Sequence, residues 1–537
     1  MNLINDQWLS VYRRSGTRDR IAPWQLTEAI AQDPVEKFHA LRPDFNGSLV
    51  QFCIGLLQTA FAPEDDREWI KLYQNPPKPD VLQQAFQQYE HAFQLDGDGP
   101  RFMQDFDLPD GEQKGVGALL LEEPGGNTLR LNTDHFVKRD KAQAMSPAMA
   151  ATALMTLQIN APSGGVGHRV SLRGGGPMTT LLTPDILHNP DQNTLWHLVW
   201  LNVVPWEVFE RICGNPDNKD EAAIFPWLAP TRTSDKTGRD TTPEEAHPLQ
   251  VYWGMPRRIR LDFSAAEPGE CSLSGETAPL VRSFRTKNYG INYTGPWQHP
   301  LSPYRFDKQR VPLPLHPQPD GLGYRHWLGL ALGNSNEKSS VESAKIVFYH
   351  TRKSSKRRRN IATKLWVFGY DMDNMKARGW HESHMPLFHI EDSGCQDNFV
   401  SMVQDILNAT SLVADNLRGA LKKAWFKPKA KVSGDLSFIV NLFWQTTEAD
   451  FYDLLPKLHS AVVSGKDDLP LDLGRFWFNV INTASFELLT TWTAGGRIEH
   501  EDPKRIALAH RDLRTFNKKK SICSALRLNI KAAQEEA

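Results

Sequence analysis

Apolar positions along the 537-residue chain change their period near residue 378. Beyond it, Phe399, Val403, Ile406, Val413, Leu417, Leu421 and Ala424 recur at helical spacing and form one apolar face. The same pattern predicts helices over 436–444, 448–463, 475–492 and 503–528. Pro503 sits in a first turn behind Glu501 and Asp502, where its missing N–H is tolerated. The loops between are short and polar, which predicts antiparallel neighbours in a four-helix bundle.

The N-terminal part is mixed. A strand-like piece at 8–12 is followed by an apolar helix over 49–61, closed by Pro63, and a second over 81–93 that Gly-Asp-Gly-Pro at 97–100 breaks. Residues 108–144 lack apolar periodicity and predict a long exposed loop, a length that points to function when it has no structure of its own. A helical pattern returns over 145–160. It runs into APSGGVGHRVSLRGGGP, where six glycines fall within residues 164–177 and force an irregular backbone. Alternation at Ile259, Leu261 and Phe263 predicts a strand within 251–263, with further strands at 346–349 and 365–370 and proline-rich turns between 296 and 319. The expected fold class is α+β: a large mixed α/β body at 1–377, then the four-helix bundle at 378–537, with no internal repeat.

Composition narrows the function. The apolar share of 40% suffices for real cores, and 62 Lys+Arg against 63 Asp+Glu give a net charge of −1. A chain that coats nucleic acid alone carries a basic excess, so contact with nucleic acid must be local and shared with partners. Cys53, Cys213, Cys271, Cys395 and Cys523 contain no CxxC pair, which argues against a zinc site or a secreted disulfide framework. The opening residues lack an apolar signal core. The most apolar stretch, 195–206, is interrupted by His197, Asn202 and Pro205. The expected setting is the cytoplasm, without a membrane.

Enzyme motifs are absent. No G-x-x-x-x-G-K-[ST] occurs, since Gly465-Lys466 is followed by Asp467, and Val170 stands where a dinucleotide fingerprint needs its third glycine. His510-Arg511-Asp512 spells a kinase triplet without the following Asn or a matching glycine-rich loop. The one catalytic alternative is a metal-dependent nuclease or hydrolase using His381, His384 and Asp392. Against it stands a domain junction with solvated or capping histidines.

Four features suit nucleic acid instead. Gly164-Gly165-Val166-Gly167, followed by His168-Arg169, gives a side-chain-poor backbone that can approach a base edge in a narrow groove; the plain alternative is a connecting segment. Arg352-Lys353 with Lys356-Arg357-Arg358-Arg359 can bind phosphate or form a solvated loop. Gly321-Leu322-Gly323-Tyr324-Arg325-His326-Trp327 can wedge a duplex apart, or its aromatics can be core. In the last helix, Lys504, Arg511, Arg514 and Lys518 share one face, which suits a phosphate-tracking stripe or an ordinary solvated surface.

MNLINDQWLSV at the start, FCIGLLQTAFAPEDD at 52–66, RFMQ at 101–104, HFVKR at 135–139, the glycine segment at 161–182, GPWQHPLSPY at 295–304 and ALAHRDLRTF at 507–516 occur in one order along nearly the whole chain. Together they resemble the CasA family, the large subunit of the type I-E CRISPR Cascade complex. The resemblance implies a non-catalytic subunit without cofactors that inspects duplex DNA for a protospacer-adjacent motif and helps open it, while guide RNA reads the rest. It implies as partners the guide RNA, double-stranded target DNA, the backbone, small and guide-end-binding Cascade subunits, and a helicase–nuclease recruited in trans.

By the same resemblance the family's motif-reading glycine loop falls on Gly164, Gly165, Val166 and Gly167, with Val166 replacing a glycine. The basic contact falls near Lys287, beside Arg169. The duplex wedge falls on Tyr324, Arg325 and His326, the last replacing a glutamine. The loop that meets guide RNA and backbone subunits falls on 125–142, with Phe136 stacking and Lys138 and Arg139 alongside. Phosphate contacts are expected from Arg357, Arg358, Arg359, Arg511, Arg514 and Lys518. Some members bind zinc through two CxxC pairs; here Cys271 is left with Ser274, and the other pair falls in MSPAM at 145–149, so no zinc is expected.

Overall fold

The computed structural model describes residues 1–537 except 109, 124–129, 131–140, 216–219, 265, 337–338, 374–375, 428–434, 495–501 and 529–537. The chain divides into two compact units. The first comprises Met1–Pro319 and Ser335–His384, the second Asp320–Asn334 and Met385–Ala537. The division therefore differs from the 377/378 boundary expected from composition. Residues 378–384 continue the strand Lys376–Pro386, and a short segment from mid-chain folds with the helices.

The first unit is built on the helix Pro43–Ala60, whose Leu49, Val50, Phe52, Ile54, Leu56 and Leu57 are buried on more than one face. A helix apolar all round belongs inside a core. Gly47 lets it approach a strand closely, since a Cβ there would lie 2.8 Å from the Phe368 ring. Phe52, Phe93, Phe102, Trp227 and Trp253 meet edge-on or stacked around it, with centroids 5.2–6.4 Å apart. Several small sheets accompany this core, three of them three-stranded. Leu9–Arg13 is flanked antiparallel by Arg18–Ile21 and Val35–Phe38. Thr363–Asp373 lies between Thr179–Pro184 and Lys376–Pro386, and is buried along most of its length. Ser283–Lys287 lies between Glu112–Gly115 and Arg258–Asp262.

The second unit is helical. Ser393–Trp425 packs against Ser437–Thr446, Glu448–Val463, Leu471–Thr493, Pro503–Asn517 and Lys520–Ala525. Asp392 caps it, accepting the Cys395 amide at 2.8 Å. The mixed body followed by a C-terminal helical region is the expected fold class.

Several expected elements differ. Residues 346–349 are helical, within Lys345–Phe348 and a following π turn; a short run of apolar residues has no period that separates strand from buried helix. The strand within 251–263 is confined to Arg258–Asp262, because Pro248–Val251 forms a 3-10 turn. The last predicted helix breaks at Lys518, where the buried Asn517 amide turns inward to Asn482 and Ser485 at 3.1 and 3.0 Å. The predicted loop at 108–144 holds the strand Glu112–Gly115 and a 3-10 turn, Val116–Leu119. No helix among the described residues is long and apolar enough to cross a membrane.

Candidate nucleic-acid interface

The helix Pro147–Asn160 ends at Ala161-Pro162 and releases the chain into the glycine loop. Gly165 and Gly167 take φ of +69° and +77°, a left-handed region that side chains resist. Val166 between them does not, so a β-branched residue is accommodated. Two carbonyls face inward: Asn288 Nδ2 donates to Val166 O at 2.8 Å, and the Tyr289 amide donates to Gly167 O at 2.8 Å. The amides of residues 164–167 donate to no group among the described residues. The loop thus has its tip acceptors engaged and its donors available, with Val166 76% exposed.

Residue 167 must be glycine for a second reason. A Cβ there would lie 2.9 Å from the Asn288 Cβ and 3.1 Å from the Tyr289 ring. Tyr289 itself has φ +62°, an uncommon conformation for a bulky residue. Asn288 and Tyr289 directly follow the strand Ser283–Lys287, so the exposed Lys287 immediately precedes the loop's seat. The structure brings the glycine loop and Lys287 together.

Arg169 has a different place. Its Nε and Nη2 donate to Ser234 Oγ and O at 2.7 and 2.9 Å, and its guanidinium lies 5.9 Å from the Tyr289 ring centre. Half-buried, it ties the segment after the loop to Ser234 and lies beside Tyr289, on which the loop is seated. Arg257, which sequence reasoning missed, holds the other end by donating to Pro162 O and to His168 Nδ1. Its backbone is locked by Gln158 at 2.9 and 3.0 Å. Burial first, then the charges of Arg257 and Lys114, hold His168 down to about 4, so its ring is neutral at pH 7. Nothing in the composition of this stretch marked Arg257, Asn288 or Tyr289; only the fold joins them to residue 166.

The second unit holds the three expected wedge residues, and one needs correction. Tyr324 is fully buried, its ring 4.3 Å from Phe451 and 4.8 Å from Trp444, its hydroxyl 2.7 Å from Thr447 Oγ1. It is a core residue and is not presented for insertion. Arg325 and His326 are half-buried. Arg325 pairs with the Asp320 carboxylate, donates to Asp320 O at 2.7 Å and reaches His326 Nε2 at 3.0 Å. Burial, then Arg325, hold His326 down to about 4.

The basic run 352–359 separates by burial. Arg358 has no exposed surface. Its guanidinium lies 3.8 Å from the Trp69 ring centre and 5.1 Å from Tyr349, donates to Val203 O at 3.2 Å and pairs with Asp66 at 3.5 Å. Arg358 is therefore a core cation, which corrects its assignment to phosphate. Arg357 is exposed, and Arg359 is half-buried with Nη1 on Ser354 O. In the helix Pro503–Asn517, Ala509, Leu513 and Asn517 face inward. Lys504, Arg511 and Arg514 are exposed and Lys518 half-buried on the opposite side, as a 100° advance per residue requires. Arg511 lies 3.2 Å from Asp512. Phe136, Lys138 and Arg139 lie outside the described residues.

The hydrolase alternative gains no support. His384 lies flat over Trp366 at 6.0 Å, and Asp392 is spent as the helix cap. No group of three His, Cys, Asp or Glu able to hold a metal occurs among the described residues. The two segments aligned with the family's cysteine pairs do meet: the Ser272 amide donates to Ala144 O at 2.9 Å, and Cys271 packs with Ala144 and Leu280, joined by Met149 and Leu273. Apolar packing holds the two segments together there.

The model of the family described as CRISPR-associated protein Cse1 matches residues 2–484. The fold is similar to CasA (Cse1) of Thermus thermophilus, with a TM-score of 0.68 at 17% identity over 96% of this chain and 99% of that one. It is similar to Cse1 of Acidimicrobium ferrooxidans, with a TM-score of 0.65 at 18% identity over 98% of each chain. A chain of a CRISPR RNA-guided surveillance complex matches with a TM-score of 0.62 at 14% identity, over 96% of this chain and 99% of that one.

Proposed function

The chain belongs to the CRISPR-associated Cse1 family, and from that premise we propose that it is the large, non-catalytic subunit of a type I-E RNA-guided surveillance complex. In this reading it recognises a protospacer-adjacent motif in duplex DNA, promotes strand separation, and recruits a separate helicase–nuclease. Its partners are guide RNA, target DNA and the other Cascade subunits, and it works in the cytoplasm.

One observation carries the reading: a loop with an exposed tip, whose amides have no partner among the described residues, stands beside an exposed lysine. The minor-groove floor offers acceptors, which match N–H donors, and phosphates flank it, which match Lys287. Strand opening falls to Arg325 and His326, since Tyr324 is core. Loop 125–142 is assigned to guide RNA and backbone subunits by family membership. Arg511, Arg514 and Lys518 suit backbone tracking, as does exposed Arg357.

The test is a gel shift with the assembled complex on duplexes that differ only in a three-base motif. Gly165→Trp should abolish motif dependence while the chain still folds, since nothing lies within 4 Å of a Cβ at 165 and the positive φ there costs only about 1–2 kcal/mol. Unchanged discrimination would count against the loop. Replacing Arg325 and His326 by Ala should slow duplex opening more than initial binding; equal loss of both would argue against a wedge. Cutting of DNA by the purified chain with Mg²⁺ or Mn²⁺, abolished by His384→Ala, would replace this reading with the hydrolase.

A further inference from the structure

Arg173 is buried in the first unit, 4% exposed, and no carboxylate pairs with it among the described residues. Its guanidinium rests on neutral oxygens alone. Nη1 donates to Thr179 Oγ1 and Ser302 Oγ at 3.1 and 3.0 Å, and Nη2 donates to Gln51 Oε1 at 2.6 Å. The remaining N–H groups, that on Nε among them, donate to nothing among the described residues. Burial pulls the group down to about 10, so it stays charged at pH 7. A buried cation without a counter-ion is costly.

Arg173 lines a cavity of about 20 Å³, room for one occupant near the size of a water molecule. Two further donors line it. Tyr252 is 6% exposed, and its hydroxyl has no partner among the described residues. His299 is 2% exposed, and its Nδ1 accepts the Leu301 amide at 3.1 Å. That bond puts the ring proton on Nε2, which donates to nothing among the described residues. Burial, then the charge of Arg173, hold His299 well below 6.5, so the ring is neutral. The side-chain acceptors of the lining are engaged: Gln51 Oε1 by Arg173 at 2.6 Å, Gln158 Oε1 by the Arg257 amide at 2.9 Å, and Ser171 Oγ by the Arg173 amide at 3.3 Å. No carboxylate lines the cavity.

We propose that this cavity binds one halide ion, chloride in its natural setting, between the Arg173 guanidinium, the Tyr252 hydroxyl and the His299 Nε2–H. A water molecule there needs acceptors for its own protons and leaves the charge of Arg173 unbalanced. A halide accepts from all three donors, donates nothing and neutralises the cation. Sulfate and phosphate are too large for the volume, and the charge of Arg173 repels metal cations. The three donors come from separate stretches of the first unit. The ion therefore ties the segment that leaves the glycine loop to Tyr252 and His299. A ligand that binds only the folded chain stabilises it by mass action, which makes the stability of the first unit depend on halide concentration.

The experiment melts the full chain in sodium gluconate, with sodium chloride or bromide replacing it at constant ionic strength so that surface screening is unchanged. The transition of the first unit should rise with either halide, by on the order of 2 °C at a tenfold excess over the dissociation constant. Tyr252→Phe deletes a hydroxyl that has no protein partner. It should melt like the parent in gluconate and need about tenfold more halide for half of the rise. Crystals of the full chain grown in bromide should show an anomalous peak in the cavity. No halide response, or an equal one in Tyr252→Phe, overturns the proposal, as does density in the cavity without anomalous signal. A bromide peak without a chloride response in the melt marks binding at crystal concentration only and equally overturns it.

Discussion

Replacing Arg358 by Ala separates a structural arginine from a phosphate ligand. Burial pulls its guanidinium down to about 10, so it stays charged at pH 7 inside the first unit. The substitution removes a cation 3.8 Å over Trp69, an arrangement worth about 2 kcal/mol when desolvated. It removes the hydrogen bond to Val203 O at 3.2 Å, worth about 1 kcal/mol. It also leaves a cavity against Trp69 and unpairs Asp66. That last penalty is smaller than for a fully buried ion, because Asp66 is 16% exposed and retains the Tyr349 hydroxyl at 3.0 Å. The total is about 3–5 kcal/mol, which should lower the melting transition of the first unit by on the order of 5 °C. Arg357→Ala, one residue away and exposed, should shift stability by less than about 0.5 kcal/mol. Thermal unfolding by calorimetry reads both. The reasoning is refuted if Arg358→Ala melts like the parent and instead reduces the salt dependence of DNA binding by about 0.9, the slope of one lost phosphate contact.

Gly165→Ala and Gly167→Ala each place a side chain at positive φ, at about 1–2 kcal/mol, but only the second meets Asn288 and Tyr289 at 2.9 and 3.1 Å. Motif-dependent binding should suffer more from Gly167→Ala; equal losses would mean that the loop is not seated on those residues. Tyr324→Phe should cost the second unit about 1 kcal/mol for the lost Thr447 bond, and Tyr324→Ala about 3–5 kcal/mol. An unaltered melt combined with slowed duplex opening would restore Tyr324 as a wedge. Burial holds His168, His197 and His247 down to about 4 from 6.5. Between these values the unfolded chain binds more protons, so their stabilising contribution is full above about pH 6.5 and lost as pH falls toward 4. Melting temperature against pH should show that decline, shallower in His197→Gln, and a flat profile would contradict it.

The long C-terminal helices were legible because their apolar faces repeat over many turns. Residues 346–349 were not, because Ile346 and Val347 are buried side by side and four residues carry no period. The glycine loop was visible as composition, and Lys287 only through family resemblance. What seats the loop was hidden, since Arg257, Asn288 and Tyr289 act through contacts spanning about a hundred residues or more of sequence. Residues 352–359 show the converse. Six cations in a row of eight read as surface, yet one of them finds an aromatic cage nearly three hundred residues away around Trp69. Charge in a sequence reports what a side chain carries, and burial depends on partners that the local pattern does not contain.

Because Asp320–Asn334 belongs with helices encoded after residue 384, synthesis imposes a waiting time on it. Tyr324 leaves the ribosome well before Phe451, on which it stacks, and before Trp477, 6.2 Å away. At roughly 5–20 residues per second its ring goes uncovered for on the order of ten seconds or more. A gene fragment that starts at 385 would never supply the ring at all. Shortening this protein to its helical part would therefore yield a bundle with a hole at its centre and a tendency to aggregate.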